Sequence, residues 1–427
     1  GVGMMPSRSD DLYRESLELT PGGVSSPVRA FRPHPLFMES GEGCMIRDAE
    51  GRTYVDMCMA YGPLITGHAC DRVLRAATER ISKGTVFGAP SEPELKLIKR
   101  LCRDVPSMDM VRLAVSGTEA TMHALRLARG FTGKNGVVKV EGGFHGAHDA
   151  VLVRAGSGSS EGVPGSAGVP ADAVRNTHLT EYNDTEMLSS LLESRDDIAC
   201  VIMEPVLGNV GVVPPVKGYL QDVRRITEEN GVLLIFDEVI TGCRLSAGGA
   251  QKVFGVTPDL TTMAKVIGGG FPIGAFGGRR DIMEHVAPSG PVYAAGTFSG
   301  NPVSASAGLA QIEVMSEDGN YGRIDRNAEE LASRMSDSLA DRGARGCVQR
   351  AGSMLSVFFG RDSVKNGSEA QGADRTMFGR MFEHMLDEGV YLPPSALETW
   401  FVSTAHDGDS IDKVASEFDA FLCKVRV

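Results

Sequence analysis

The sequence predicts an α/β fold, a mostly parallel sheet covered by helices on both faces, with a smaller α+β unit beside it. Three observations predict it. From about residue 56 to residue 310, short apolar runs alternate with stretches of helical period. Residues 232–236 are apolar at every position and end abruptly at Asp237 and Glu238. After about Leu309 the chain turns helical and more charged. A strand without polar alternation is one buried on both faces, the condition of a parallel sheet between helices.

A chain of 427 residues with 42% hydrophobic content can bury a sizeable core and suggests two or three structural units. The formal net charge of -12 opposes attraction to phosphate backbones and anionic lipid, so neither nucleic acid nor membrane partners are expected. No apolar run approaches the roughly 20 residues that span a bilayer, and the start lacks the pattern of a secretory signal. The eight cysteines are scattered, with no CxxC pair and no spacing that suggests a zinc site. Reduced thiols and a cytoplasmic location follow as expectations.

Along the chain, the clearest strands are residues 111–115, 136–140, 200–203 and 232–236. Residues 142–168 are rich in glycine, serine and alanine, and 155–160 lack the period of either a helix or a strand. This predicts a mobile loop long enough to serve as a lid. Residues 323–339 read as a helix, and 354–359 and 389–392 as strands of one smaller sheet. No internal repeat or heptad run is present.

Three constellations could carry chemistry. Val115-Ser116-Gly117-Thr118-Glu119-Ala120 follows an apolar strand and opens a helix, so unpaired N–H groups, the helix dipole and two hydroxyls form a phosphate cup; simple capping is the plainer alternative. Asp237 ends the most buried strand, where an ionised carboxylate needs a cationic or hydrogen-bonding partner. A protonated pyridine nitrogen is one such partner, and an ion pair with Arg244 is the other reading. Lys265 ends an apolar stretch before Gly268-Gly269-Gly270, and an amine among apolar residues loses basicity and can form a Schiff base. Most lysines are merely solvated. A phosphate cup, a buried acid and a glycine-flanked lysine are together the three anchors that pyridoxal phosphate requires.

Other readings fit less well. Gly130-Phe131-Thr132-Gly133-Lys134-Asn135 lacks P-loop spacing, and residues 268–274 show no GxGxxG, which leaves a nicotinamide-dependent oxidoreductase poorly supported.

Across nearly the whole chain the residues resemble the class III aminotransferases of fold type I, and within them the glutamate-1-semialdehyde 2,1-aminomutase branch. The resemblance is carried by Pro21-Gly22-Gly23-Val24-Ser25-Ser26-Pro27-Val28-Arg29-Ala30-Phe31, Ser116-Gly117-Thr118-Glu119-Ala120-Thr121-Met122, Phe236-Asp237-Glu238-Val239 and Ala295-Gly296-Thr297-Phe298-Ser299-Gly300-Asn301-Pro302. The first segment separates the aminomutases from general class III transaminases. The resemblance implies a large domain over residues 62–309 with a mostly parallel seven-stranded sheet. A small α+β domain would be built from residues 1–61 and 310–427.

The resemblance also implies site roles. Lys265 would carry pyridoxal 5'-phosphate and shuttle protons, and Asp237 would keep the pyridine nitrogen protonated. Ser116, Gly117 and Thr118 would hold the phosphate, joined by Thr297 from a second subunit, so that a homodimer would complete the site. Phe144 and Val239 would sandwich the ring, with His145 beside it and Asn209 near its 3' oxygen. Arg29 would bind the substrate carboxylate through its planar fork. Ser26, Tyr61, Ser157 and Glu398 complete the expected substrate contacts. Tyr61 stands where the branch commonly has tryptophan, Phe144 where tyrosine is common, and Trp400 adds bulk shortly after Glu398.

The activity implied is conversion of glutamate-1-semialdehyde to 5-aminolevulinate through 4,5-diaminovalerate, alternating the pyridoxal and pyridoxamine 5'-phosphate forms. An intermolecular aminotransferase acting on a β- or ω-amino acid is the nearest alternative, and a noncatalytic pyridoxal-phosphate-binding protein is another.

Overall fold

The computed structural model describes residues 7–156 and 159–425. A helix, Arg8–Leu19, precedes three antiparallel strands, β1 (Met38–Glu42), β2 (Met45–Asp48) and β3 (Thr53–Asp56). The large sheet follows, from β4 (Met110–Ala114), β5 (Gly136–Val140), β6 (Val153–Gly156), β7 (Ser159–Pro164) and β8 (Thr177–Thr180) to β9 (Ile198–Met203), β10 (Leu233–Asp237), β11 (Leu260–Ala264) and β12 (Gly274–Gly278). Its order is β4-β12-β11-β10-β9-β5-β8-β7-β6. Seven of these strands form the expected mostly parallel core. Within it β12 is the reversed strand, antiparallel to both β11 and β4.

The burial pattern explains why residues 232–236 show no alternation. Leu233 and Ile235 point into a core with Val137, Cys200 and Phe276, whereas Leu234 and Phe236 point into another with Val138, Val201 and Met203. Successive side chains of a strand face opposite ways, so a sheet covered on both faces demands apolar residues at every position.

Two expectations are corrected. Residues 155–160 were expected to form neither helix nor strand, but 155–156 belong to β6 and 159–160 to β7, which pair antiparallel and extend the sheet beyond β8, while 157–158 lie outside the described residues. Backbone hydrogen bonding to a neighbouring edge supplies order that the Gly/Ser-rich composition does not announce. Residues 354–359 and 389–392 were expected in one small sheet, yet they lie in two. β13 (Gly346–Ala351), β14 (Met354–Phe359) and β16 (Trp400–Phe401) form one, while β15 (Val390–Tyr391) pairs in parallel with β3. Pairing across so long a stretch of chain leaves no local mark in the sequence.

A separate core joins these small sheets to the helices Asn320–Asp341, Arg375–Asp387 and Gly408–Lys424. Trp400 is fully buried within it, so its bulk fills this core. Among the described residues no helix is long and apolar enough to cross a membrane, and no cluster of three or more His, Cys, Asp or Glu could hold a metal.

Candidate active site

The parallel strands end on one rim of the sheet, where open α/β sheets place their ligands. A cavity of about 440 Å³ opens there, lined by Gly117 and Thr118 after β4, Phe144 and His145 after β5, Glu204 after β9, Asp237 at the end of β10 and Lys265 after β11. That volume suits a small cofactor with its substrate.

Asp237 faces His145, with Oδ2 and Nδ1 2.7 Å apart. Its other oxygen accepts from the Val239 N–H at 3.0 Å and the Thr262 hydroxyl at 3.3 Å. An ionised carboxylate only accepts, so Nδ1 carries the shared proton. Burial holds the imidazole below its usual range, against the pull of Asp237. Nε2 is buried without a partner. Arg244 does not pair with Asp237; it bonds Ser353 and the carbonyls of Gly62 and Val402 instead.

Lys265 begins a 3-10 turn at Lys265–Gly268 and itself has φ of 48°, a strained value for a residue with a side chain. Its amine donates to the Tyr61 carbonyl at 2.7 Å. Burial lowers its basicity, opposed first by the Glu398 carboxylate. The Tyr61 hydroxyl in turn donates to the Val28 carbonyl at 2.7 Å, beside Arg29. Tyr61 thus touches both the lysine and the segment that precedes β1.

The phosphate cup is narrower than expected. Ser116 is the N-cap of the helix Gly117–Thr132, its hydroxyl accepting from the Glu119 N–H at 3.1 Å, so the plainer reading describes that side chain. Gly117 and Thr118 line the cavity and Ser116 does not. A Cβ on Gly117 would stand 3.1 Å from a Val239 methyl, and its absence keeps the helix terminus open.

Phe144 is 51% exposed although it stands beside fully buried His145. Plain core packing therefore does not describe it; it lines the cavity. The missed residue is Glu204, which accepts from the N–H groups of Phe144 and Gly208, both at 3.1 Å, and from the Asn209 amide at 2.8 Å. Burial pushes this carboxyl up to about 8. The abrupt end of residues 200–203 at Glu204-Pro205 was its signal, the same one that marked Asp237.

A second cavity of about 660 Å³ is lined by Ser25, Arg29, Cys58, Tyr61 and Tyr391, and the Tyr61 carbonyl links it to Lys265 of the first. Ser26 lies beside this lining but is not part of it. Burial raises the Glu398 carboxyl, opposed by Lys265. Thr297 is exposed and lines neither cavity, and it stands between Tyr293 (70% exposed) and Phe298 (58%) in the sequence. Ser157 lies outside the described residues.

The donor set fits pyridoxal phosphate. The helix N-terminus suits a phosphate, the exposed Phe144 face and Val239 suit a flat ring, Asp237 suits a ring N–H, and Lys265 is an amine of reduced basicity.

The comparisons agree in kind. Residues 28–416 match the family described as Aminotransferase class-III. The chain is 52% identical over 411 residues to a protein of Archaeoglobus fulgidus named glutamate-1-semialdehyde 2,1-aminomutase, covering 96% of this chain and 98% of that one. It is 51% identical to the protein of that name from Methanothrix thermoacetophila, covering 97% and 96%. Among solved structures it is similar to an omega-transaminase from Sphaerobacter thermophilus, with TM-score 0.94 and 31% identity over 99% of this chain and 98% of that one. It is also similar to a glutamate-1-semialdehyde-aminomutase from Pseudomonas aeruginosa in complex with PMP, with TM-score 0.89 and 26% identity over 97% and 94%.

Proposed function

The chain belongs to the class III aminotransferases, and from that premise we propose that it moves an amino group within one substrate, converting glutamate-1-semialdehyde to 5-aminolevulinate through 4,5-diaminovalerate. The observation that carries this reading is half-identity, over nearly the full chain, to relatives named for that reaction. The net change is an isomerisation: the amine leaves C2 for C1, and the carbonyl appears at C2. No external amino donor is consumed.

Pyridoxal phosphate, when bound, supplies a ring that withdraws electrons from a carbon bearing an amine, so that the amine can be exchanged. Lys265 would hold the cofactor and, with its amine free, would take up and return a proton at the substrate carbon that bears the amine. Burial favours its neutral form, the form that attacks and abstracts. Asp237 stays an acceptor for a ring N–H because His145 occupies its other side with a neutral N–H. Gly117 and Thr118 would hold the phosphate at the helix N-terminus, and Phe144 and Val239 would flank the ring. Arg29 binds the substrate carboxylate, and Glu398 stands near the amine that is exchanged.

Thr297 completes the phosphate site of a second subunit, in a homodimer. The exposed side chains of Tyr293 and Phe298 beside it support such a covered face. Eight free thiols suit the cytoplasm.

The test is glutamate-1-semialdehyde given alone to purified protein, with an assay for 5-aminolevulinate and a Lys265→Ala control. Many turnovers without an added amino acceptor support the aminomutase. Turnover that requires pyruvate or 2-oxoglutarate moves the function to an intermolecular transaminase, the reading favoured by the likeness to the Sphaerobacter thermophilus enzyme.

A further inference from the structure

The carbonyl that holds Lys265 belongs to unusual backbone. Met59, Ala60 and Tyr61 have φ of 45°, 55° and 65° in succession, and Gly62 follows at 120°. Left-handed backbone costs a residue with a side chain about 1–2 kcal/mol, so such a turn persists only where its surroundings fix it. On one side Asp56 accepts the N–H groups of Cys58 at 2.8 Å and Met59 at 2.9 Å, and His68 closes on its other oxygen at 2.7 Å. On the other side Arg244 donates to the Gly62 carbonyl.

Arg244 is 1% exposed, and its partners are all neutral. Besides Gly62 they are the Ser353 hydroxyl at 2.9 Å, the Val402 carbonyl at 3.4 Å and the Phe401 ring, whose centroid lies 4.7 Å from the guanidinium carbon. A buried guanidinium without a carboxylate among its partners is costly. The charge needs an explanation.

We infer that Arg244 is a positioning residue for the Lys265 amine: it pins Gly62, and through Gly62 the left-handed turn whose Tyr61 carbonyl seats the amine, and it adds a positive charge to the amine's surroundings. Only what the amine then does rests on the aminomutase reading; the contacts do not. A seat of this kind gives the amine a fixed place whenever it is free of the cofactor. The positive charge opposes the proton on the amine, whereas Glu398, Glu204 and Asp237 favour it, and the Cys58 thiol also faces the amine. Arg244 therefore acts in the same direction as burial, toward a neutral lysine.

The experiment measures how fast Lys265 is acylated as a function of pH, in the full chain free of pyridoxal phosphate, by mass spectrometry of its peptide. The same proteins, loaded with pyridoxal phosphate, are assayed for turnover. Only the neutral amine reacts. Arg244→Met should move the labelling midpoint to higher pH and lower kcat on the order of 10- to 100-fold with KM little changed, the scale of a misplaced catalytic group. Arg244→Lys should restore the labelling midpoint but not the full kcat. Where Arg244→Met does not fold, Arg244→Gln removes the charge while keeping amide donors and carries the same readout. A folded neutral variant with the wild-type midpoint overturns the inference, because a purely structural arginine would change thermal stability alone. Failure of the cofactor reading is seen separately, as wild-type protein that gains no pyridoxal-phosphate absorbance.

Discussion

His145 and Asp237 share a hydrogen bond of 2.7 Å in a place where their side chains are 0% and 3% exposed. Burial lowers the basicity of the imidazole and so favours its neutral form, in which the bond orients the carboxylate without cancelling its charge. His145→Ala should leave the fold intact and lower kcat about 10- to 100-fold, the equivalent of the roughly 1.5–3 kcal/mol carried by a hydrogen bond to a charged group. Steady-state kinetics with thermal unfolding in parallel check this, and an unchanged kcat would remove His145 from the site.

Gly146 has φ of 96°, and a Cβ there would stand 2.6 Å from the Thr118 Cα. The loop after β5 meets the helix N-terminus at this point with no room for a side chain. Gly146→Ala should destabilise the protein by at least about 1–2 kcal/mol, from the left-handed backbone alone, and weaken pyridoxal-phosphate binding. Urea unfolding and cofactor titration measure the two effects.

Glu204 ionises near pH 4.5 in the unfolded chain and at about 8 in the fold. Between those values the folded protein holds one more proton than the unfolded chain, so rising pH favours unfolding through this group. Glu204→Gln removes the dependence. The unfolding free energy of the wild type minus that of the variant should therefore decline from about pH 5 to about pH 8 and then level off. A flat difference across that range would mean that the three donors around Glu204 keep it ionised.

Arg29 is exposed in the second cavity, where a guanidinium can grip both oxygens of a carboxylate. Arg29→Ala should raise KM for glutamate-1-semialdehyde about 10- to 100-fold with a smaller change in kcat, the pattern of lost ground-state binding. Arg29→Lys should recover only part of it, since an ammonium lacks the planar fork.

Much of the site was legible because its residues sit where apolar runs stop. Asp237 ends β10, Lys265 ends β11 and the Gly117 turn ends β4, and each polar residue at such a boundary is conspicuous in the sequence. Glu204 carries the same mark at the end of β9 and was passed over, since its partners are mostly backbone N–H groups. The roles of Ser116 and Arg244 depended on which neighbour each side chain reaches, a matter of fractions of an ångström that spacing does not encode. The β6–β7 pair and the β3–β15 pair were missed for a related reason. Both are held by backbone hydrogen bonds to partners that local composition cannot name.

That last pairing bears on how the protein comes into being. β3 takes its parallel neighbour from β15, and the contact of Arg52 with the Asp387 carbonyl beside it joins residues 335 positions apart. During synthesis the edge of β3 must wait, unpaired, until almost the entire polypeptide has left the ribosome, and long-range closure of this kind is slow. The turn that receives Lys265 follows β3 directly. The enzyme should therefore acquire its sheet early and its chemistry last, and a nascent chain stalled before β15 would be well folded in its centre yet inert.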